Sequence, residues 1–381
     1  MNRDIIFVTH HLGGLGGVQR VVDQLAESFA TDGNRVTVFG CGVQAGESYQ
    51  KTSKNYEEVL LYSQDIFFQK PWIFFQEKFI NKKLEKNLIQ VLDRAKDPIV
   101  ILANPIVYLL MEKVIKSYSS KAIFIGQMHS SADFVFDSKG LYSVYPYLIK
   151  NKYPKLDKIL FLSTAYSKQI SEVYQIPIKK MGAIANPLPR YINISTSETG
   201  FAKSIISFVG RLDPVKQIDH IILAFSKIQQ CFPDVTLEIY GEGVERQKLE
   251  ALINSLSLEE FVKLKGRTNK VLEVYKKSYF TLLTSNSEAF PMSVVESIIA
   301  GTPVITYNCS QGVEEIQSAT PELLVDNSIE KLADKMKFYL QNPHLLEGLA
   351  VKGRNHIINS YSEDKILNQW YRLFEELDKE K

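Results

Sequence analysis

The chain has 381 residues, of which 45% are hydrophobic and 23% are charged, and its formal net charge is +2. This length is too great for one typical domain and sufficient for two domains with separate cores, while the composition excludes an intrinsically disordered chain. The three cysteines, Cys41, Cys231 and Cys309, have no paired spacing and indicate neither a disulfide framework nor a structural zinc site.

The apolar segments predict neither export nor membrane anchoring. The first ten residues become polar too soon for a secretory signal. The longest apolar stretch, residues 98–111, is interrupted by Asn104 and Pro105. We therefore expect a cytoplasmic protein. Residues 1–190 hold 24 Lys and Arg against 17 Asp and Glu, whereas residues 191–381 hold 21 against 26, so the first half is the better candidate to meet an anionic partner.

The first half of the chain alternates strand-like apolar runs with helical segments. Between the first two runs, apolar residues from Val18 to Phe29 recur with the period of a helix. Continuous β-branched runs that alternate with helices are typical of parallel sheets covered on both faces. The predicted strands of this half are Ile5–Thr9, Val36–Cys41, Ile99–Ala103, Ala122–Gln127 and Lys158–Leu162.

A glycine-rich loop, residues 13–17, joins the first predicted strand to the first helix. Its glycines, among them Gly14, Gly16 and Gly17, permit a close approach of the backbone to a ligand. A nicotinamide-binding loop is one alternative, but the spacing is not G-x-G-x-x-G and no acidic residue ends the second strand. A purely structural turn stays open as well.

Residues 65–88 interleave bulky aromatic residues with lysines. Such a stretch can lie on an anionic membrane surface, here the inner face of the cell membrane. Alternatively, it forms a helix whose aromatic residues pack into the first domain. The basic first half slightly favours the membrane interpretation.

The second half repeats the alternation of strands and helices after a polar stretch, 191–203, that reads as a linker. We therefore predict domains at 1–190 and 191–360, and a final helix, 361–381, that can cross back to the first domain. Ligands of such α/β domains bind beyond the carboxyl ends of the strands. The predicted strands of this half are Ile205–Val209, Thr236–Tyr240, Val262–Leu264, Phe280–Thr284 and Val304–Tyr307.

Arg211 and Lys216 lie on the loop directly after the first strand of the second half. A guanidinium and an ammonium group five positions apart on one loop can converge on one pyrophosphate, the first as a planar fork and the second as a point charge. A solvated surface pair is the alternative.

Glu288 and Glu296 bracket Pro291, which predicts the start of a helix that runs to about Ala300. The first amides of this helix, those of Met292, Ser293 and Val294, would then lack intrahelical partners. Such a helix end is an anion site. With one carboxylate in the preceding loop and the other about a turn and a half inside the helix, the segment suits a sugar nucleotide.

The Glu-x7-Glu spacing, its Phe-Pro context and the following Ala-Gly-Thr-Pro-Val-Ile run resemble the retaining glycosyltransferase family 4. The resemblance spans nearly the whole chain and is strongest over 204–316. It implies the α/β GT-B fold, in which two Rossmann-like domains face each other across a cleft. It also implies a hexosyltransferase that uses a nucleotide sugar, most commonly with UDP, and forms an α-linked product.

The resemblance also implies roles for individual residues. Glu296 would hold the ribose hydroxyls and Glu288 the hydroxyls of the transferred sugar, while Arg211 and Lys216 would bind the leaving diphosphate. His129 resembles the family's histidine near that sugar, and is the fourth residue of the implied catalytic set with Glu288, Arg211 and Lys216. The remaining implied donor-binding residues are Gly14, Gly16, Gly17, Gly241, Arg267, Ala289, Phe290, Met292, Ser293 and Val294.

The expected partners are a nucleotide sugar and a glycan or lipid-linked acceptor of the cell envelope, with no nucleic acid. No Asp-x-Asp motif is evident, and two basic side chains at the diphosphate would make a catalytic metal unnecessary. We therefore expect no cofactor and no metal. Two other classes stay open: a non-catalytic GT-B partner subunit, and a sugar-nucleotide epimerase or hydrolase.

Overall fold

The computed structural model describes residues 2–12, 17–43, 54–62, 73–131, 135–136, 143–190 and 204–381, with the backbone alone at 73–81. Three sequence predictions lie outside these residues: Gly14 and Gly16, the linker 191–203, and the aromatic side chains of 65–81. The chain divides into two compact units, Met1–Pro187 with Glu363–Lys381, and Leu188–Ser362.

The first unit contains a seven-stranded sheet in which every pairing is parallel, in the order β3-β2-β1-β4-β5-β6-β7. Its strands are β1 Asp4–Leu12, β2 Arg35–Val43, β3 Glu57–Leu60, β4 Ile99–Leu102, β5 Ile123–Gln127, β6 Lys158–Phe161 and β7 Met181–Ala183. Its helices are α1 Gly17–Thr31, α2 Ile73–Leu92, α3 Val107–Tyr118, α4 Tyr145–Asn151 and α5 Thr164–Tyr174, with α13 Glu363–Glu380 from the end of the chain.

The second unit contains a six-stranded parallel sheet in the order β10-β9-β8-β11-β12-β13. Its strands are β8 Ile205–Val209, β9 Thr236–Tyr240, β10 Val262–Gly266, β11 Phe280–Leu283, β12 Val304–Tyr307 and β13 Leu324–Val325. Its helices are α6 Ile218–Ile228, α7 Arg246–Ser255, α8 Val271–Lys276, α9 Met292–Ile299, α10 Gln311–Ile316, α11 Ile329–Gln341 and α12 His344–Tyr361.

The predicted fold class, α/β with parallel sheets in two halves, is confirmed, and the strands missed by sequence are short ones. β3, β7 and β13 have four, three and two residues. Periodicity cannot identify such short runs, and β3 also begins with two glutamates, a residue type that is uncommon in strands.

The last helix, α13, packs against α1 within the first unit. The ring of Phe29 lies 6.2 Å from Trp370 and 5.7 Å from Phe374, measured between centroids. Arg3 adds an ion pair to Asp378 at 2.6 Å. Both Trp370 and Phe374 are fully buried, so the apolar face of this helix completes the core of the first unit.

The described side chains of α2 pack into the core of the first unit. Leu84 and Leu88 are fully buried, and the ammonium group of Lys83 lies 4.5 Å from the ring centroid of Tyr62. Membrane contact through 65–88 therefore stays a prediction for its earlier residues. Within the described residues, no helix has both the length and the apolar character needed to cross a bilayer.

Candidate functional site

The candidate site lies where the strand order of the second unit reverses. β8 pairs with β9 on one side and with β11 on the other, although β11 comes later in the chain. The loops that leave the carboxyl ends of β8 and β11 therefore run in opposite directions and open a crevice between them. Lys216 lies on the first loop and Glu288 on the second.

Lys216 and Glu288 form a largely buried ion pair. The Nζ atom of Lys216 lies 2.5 Å from Oε1 of Glu288, and the side chains are 17% and 14% exposed. The hydroxyl of Ser285 donates to the same oxygen at 2.7 Å. Since removing either charge would leave the other in a poorly solvated place, the pair fixes the two loops together.

Two hydrogen bonds to backbone carbonyl groups also join these loops. The amide of Asn286 donates to the carbonyl of Val215 at 2.9 Å. The hydroxyl of the buried Thr284 donates to the carbonyl of Lys216 at 2.8 Å. Sequence reasoning missed both Thr284 and Ser285, although their position directly after β11 was a usable signal.

Arg211 lies on the same loop as Lys216 but faces solvent. Its side chain is 78% exposed, and one guanidinium nitrogen lies 2.9 Å from a carboxylate oxygen of Asp213. In the structure the two basic groups each contact a different carboxylate. A change of rotamer is therefore enough for Arg211 to reach a ligand. Lys216 would first have to break its buried ion pair with Glu288.

Glycines fix the loop that carries Arg211. Gly241 follows β9 with φ of +143°, and a Cβ atom there would lie 1.8 Å from the carbonyl oxygen of Gly210. The amide of Gly241 donates to Gly266 at 2.9 Å, so the loops after β8, β9 and β10 contact one another in sequence. Arg267 is exposed on the last of them.

The amino end of α9 differs from the predicted anion site in one respect. Pro291 is the residue before the helix and not its first residue, with ψ of 104°. Its carbonyl accepts the amide of Val294 at 3.0 Å. The prediction that this amide lacks a partner is therefore wrong, because the first turn tightens to an i→i+3 bond. Met292 and Ser293 are the first two residues of the helix. Ala289 and Phe290, which precede Pro291, are buried.

Glu296 lies inside α9 and is 7% exposed. The hydroxyl of Tyr275, itself fully buried at the end of α8, lies 3.2 Å from Oε2 of Glu296. The hydroxyl of Thr302 donates to the carbonyl of Tyr275 at 2.7 Å. Tyr275 thus orients the second glutamate of the motif, and no sequence pattern pointed to it.

Cys309 also belongs to this neighbourhood. Burial, together with the nearby carboxylate of Glu288, raises the pKa of its thiol to about 12. The thiol therefore stays protonated and unreactive at neutral pH.

His129 lies in the first unit, after β5. Its Nε2 atom is buried and has no hydrogen-bond partner, although part of the residue is exposed. Burial lowers the pKa of the imidazole to about 4, so the ring is neutral at physiological pH. Gly17, the described glycine of the predicted loop, is exposed at the start of α1.

We expect His129 to make the protein less stable in mild acid. Between pH 6.5 and 4 an unfolded histidine binds a proton that the folded one rejects. The free energy of unfolding should therefore fall as the pH is lowered through this window, by at most about 1.4 kcal/mol per pH unit. Urea unfolding at pH 7 and pH 5 should show a smaller fall for His129→Gln than for the wild type. Equal falls would contradict the burial of a neutral ring.

Within the part of the chain that the structure describes, no three His, Cys, Asp or Glu side chains are grouped so as to hold a metal ion. The expectation that the site uses no metal stays a prediction.

Comparisons with known proteins identify the class of the second unit. Residues 197–356 match the family model described as "Glycosyl transferases group 1". This segment is therefore a glycosyltransferase group 1 domain, a domain of enzymes. The chain also matches a structure of Staphylococcus aureus TarM in complex with fondaparinux, α-GlcNAc-glycerol and UDP. That match has a TM-score of 0.78 and 18% identity, and covers 98% of this chain and 99% of the other. It shows the shared GT-B fold.

Two curated relatives extend the comparison. An exopolysaccharide phosphotransferase of Streptomyces coelicolor is 31% identical over 59% of this chain and 24% of its own length. The poly(ribitol-phosphate) α-N-acetylglucosaminyltransferase of S. aureus is 27% identical over 77% of this chain and 60% of its own. The chain thus spans from a quarter to three fifths of the length of these relatives.

Proposed function

We propose that the chain is a retaining glycosyltransferase of family 4. It transfers a hexosyl unit from a nucleotide sugar, with UDP as the nucleotide, to a hydroxyl group of a cell-envelope acceptor, and forms an α-linkage. The observation that carries the proposal is the Lys216–Glu288 pair at the switch point of a glycosyltransferase group 1 domain. A cation for the leaving diphosphate and a carboxylate for sugar hydroxyls stand side by side there.

In this proposal the ion pair is exchanged when the donor binds. The ammonium group of Lys216 turns to the diphosphate and the guanidinium of Arg211 swings to the same group, while Glu288 accepts hydrogen bonds from the sugar. Negative charge grows on the diphosphate as its bond to the sugar breaks, so both cations bind the transition state more strongly than the ground state. The acceptor oxygen bonds to the same face of the sugar carbon, and its proton passes to the departing phosphate.

The names of the similar proteins favour a polyol or glycan as the acceptor. Two relatives are named for poly(ribitol-phosphate) and poly(glycerol-phosphate) glycosylation. The TarM structure holds UDP and α-GlcNAc-glycerol. We infer the same chemical class here, with the reaction on the cytoplasmic side of the membrane.

A thermal-shift screen with UDP-, GDP- and ADP-sugars tests the proposal. A ligand at a hundred times its dissociation constant stabilises a protein by about 2.7 kcal/mol, which is a Tm shift of a few degrees. We expect one UDP-sugar to produce this shift in the wild type and not in the Arg211→Ala/Glu296→Ala variant. The matched control is Lys227→Ala/Glu330→Ala, which removes an exposed pair and should keep the shift.

The other classes predict different results. No shift with any nucleotide sugar would contradict the proposed function and favour a non-catalytic partner subunit. Conversion of the donor at full rate without any acceptor would favour an epimerase or a hydrolase.

A further inference from the structure

A closed ring of hydrogen bonds passes through Glu296 and joins α8 to α9. The hydroxyl of Tyr275 on α8 donates to Oε2 of Glu296 at 3.2 Å, and the carbonyl of Tyr275 accepts the hydroxyl of Thr302 at 2.7 Å. Ser297, the residue after Glu296, completes the ring through two bonds. Its hydroxyl donates to the carbonyl of Thr302 at 3.0 Å, and the amide of Thr302 donates to the carbonyl of Ser297 at 3.0 Å.

The members of this ring are shielded from solvent. Tyr275 and Ser297 are fully buried, while Thr302 and Glu296 are 2% and 7% exposed. A hydrogen bond is stronger at such a place than in water, and a polar group that loses its partner there cannot turn to solvent. The ring should therefore keep one arrangement, with the carboxylate of Glu296 as its most exposed part.

Thr281 on β11 anchors the ring to the sheet. Its Oγ1 atom lies 2.8 Å from Oγ of Ser297. Because the single hydroxyl proton of Ser297 is donated to the carbonyl of Thr302, Thr281 is the donor in this pair. β11 is an inner strand, and Thr281 pairs in register with Ser207 on β8 and Val304 on β12. The ring is thus fixed to the strands that carry the loops of the candidate site.

The position of α8 depends on contacts of this kind. The helix has only six residues, and a helix so short is not stable by itself. Lys277, which follows it, lies 2.6 Å from Oε2 of Glu238 on β9, and Thr302 holds the carbonyl of Tyr275. The place of the Tyr275 hydroxyl is therefore set by residues that are distant in sequence.

The ring restricts the carboxylate of Glu296. The last torsion of a glutamate side chain has a broad distribution, so an unrestrained carboxylate rotates easily. A hydroxyl held at Oε2 limits this rotation before any ligand binds. A group that is already oriented loses less conformational entropy on binding, and a supporting hydrogen bond thereby raises the affinity for the ligand.

We propose that Tyr275 and Thr302 are positioning residues, which hold Glu296 in the orientation that binds the ribose hydroxyls of the donor nucleotide. This inference rests on the proposed function and on the ribose role predicted for Glu296, and deepens both. Neither Tyr275 nor Thr302 needs to contact the nucleotide. The Gly-Thr-Pro part of the sequence motif thereby receives a role, since its threonine supports Tyr275.

Calorimetric titration with UDP and with dideoxy-UDP, which lacks both ribose hydroxyl groups, tests the proposal. Tyr275→Phe and Thr302→Val each remove one hydroxyl of the ring. Each should lower the affinity for UDP by about 3–10-fold, the worth of one hydrogen bond, and leave the affinity for dideoxy-UDP unchanged. Thr302→Ser keeps the hydroxyl and should keep the wild-type preference for UDP. An equal loss of affinity for both nucleotides would show a structural role alone and overturn the proposal.

The matched control is Ser207→Ala. Ser207 is fully buried, and its hydroxyl lies 2.7 Å from that of Ser278, just beyond α8, but neither belongs to the ring. This variant should have a lower Tm and an unchanged preference for UDP. In the Glu296→Ala background, Tyr275→Phe should cause no further loss of UDP affinity, because it acts through that carboxylate. An additive loss would overturn the proposal.

The two proposals fail in different ways. A wild type that binds no nucleotide or nucleotide sugar overturns the proposed function. A wild type that binds UDP and dideoxy-UDP equally well, or ring variants that keep the wild-type preference for UDP, overturn the positioning proposal and leave the proposed function in place.

Discussion

Lys216→Met is expected to lower kcat by about 10²–10³-fold, because it removes the cation nearest to the charge that grows on the leaving diphosphate. It also leaves the carboxylate of Glu288, which is 14% exposed, without its ionic partner. The measurement is steady-state release of UDP from the donor identified by thermal shift, with the Tm of each variant recorded in parallel.

The matched control is Lys227→Met. Lys227 pairs with Glu330 at 3.4 Å, but the two side chains are 48% and 70% exposed. Solvent screens such a pair, so this variant should retain wild-type activity and stability within error. A double-mutant cycle with Glu288→Gln should show strong coupling at the buried pair. Wild-type kcat in Lys216→Met would exclude Lys216 from the reaction.

Gly312→Ala is expected to destabilise the protein by about 1–3 kcal/mol, as overpacking does, and to reduce activity. Gly312 lies in α10, where alanine would ordinarily stabilise a helix by up to about 1 kcal/mol. A Cβ atom at this position would lie only 1.9 Å from the carbonyl oxygen of Ala289. The clash therefore displaces the backbone that carries Glu288 and leads into α9.

Gly348→Ala provides the control within another helix. Gly348 lies in α12 and a Cβ atom there would meet no atom within 4 Å. This variant should gain stability from helix propensity and keep full activity. The measurements are the free energy of unfolding in urea and the rate of donor turnover, each compared between the two variants. A Gly312→Ala protein as stable and active as Gly348→Ala would show that the loop before α9 moves freely.

The sequence predicted the second unit better than the first. Three of its strands, β8, β9 and β12, have the predicted bounds, because each is a short run with mostly apolar residues. The helix after Pro291 was predicted one residue too early, since proline fits both the residue before a helix and its first residue. The short edge strands offered too few residues for any period to appear.

By itself the sequence determined the alternation of strands and helices, and with it the positions of Lys216 and Glu288 on loops after strands. These features depend on hydrophobic patterns within a few residues. Only the tertiary structure decided that Lys216 pairs with Glu288, across 72 residues of sequence, and that Tyr275 orients Glu296. Such contacts follow from strand order and register, which bring distant segments together and which no local pattern encodes.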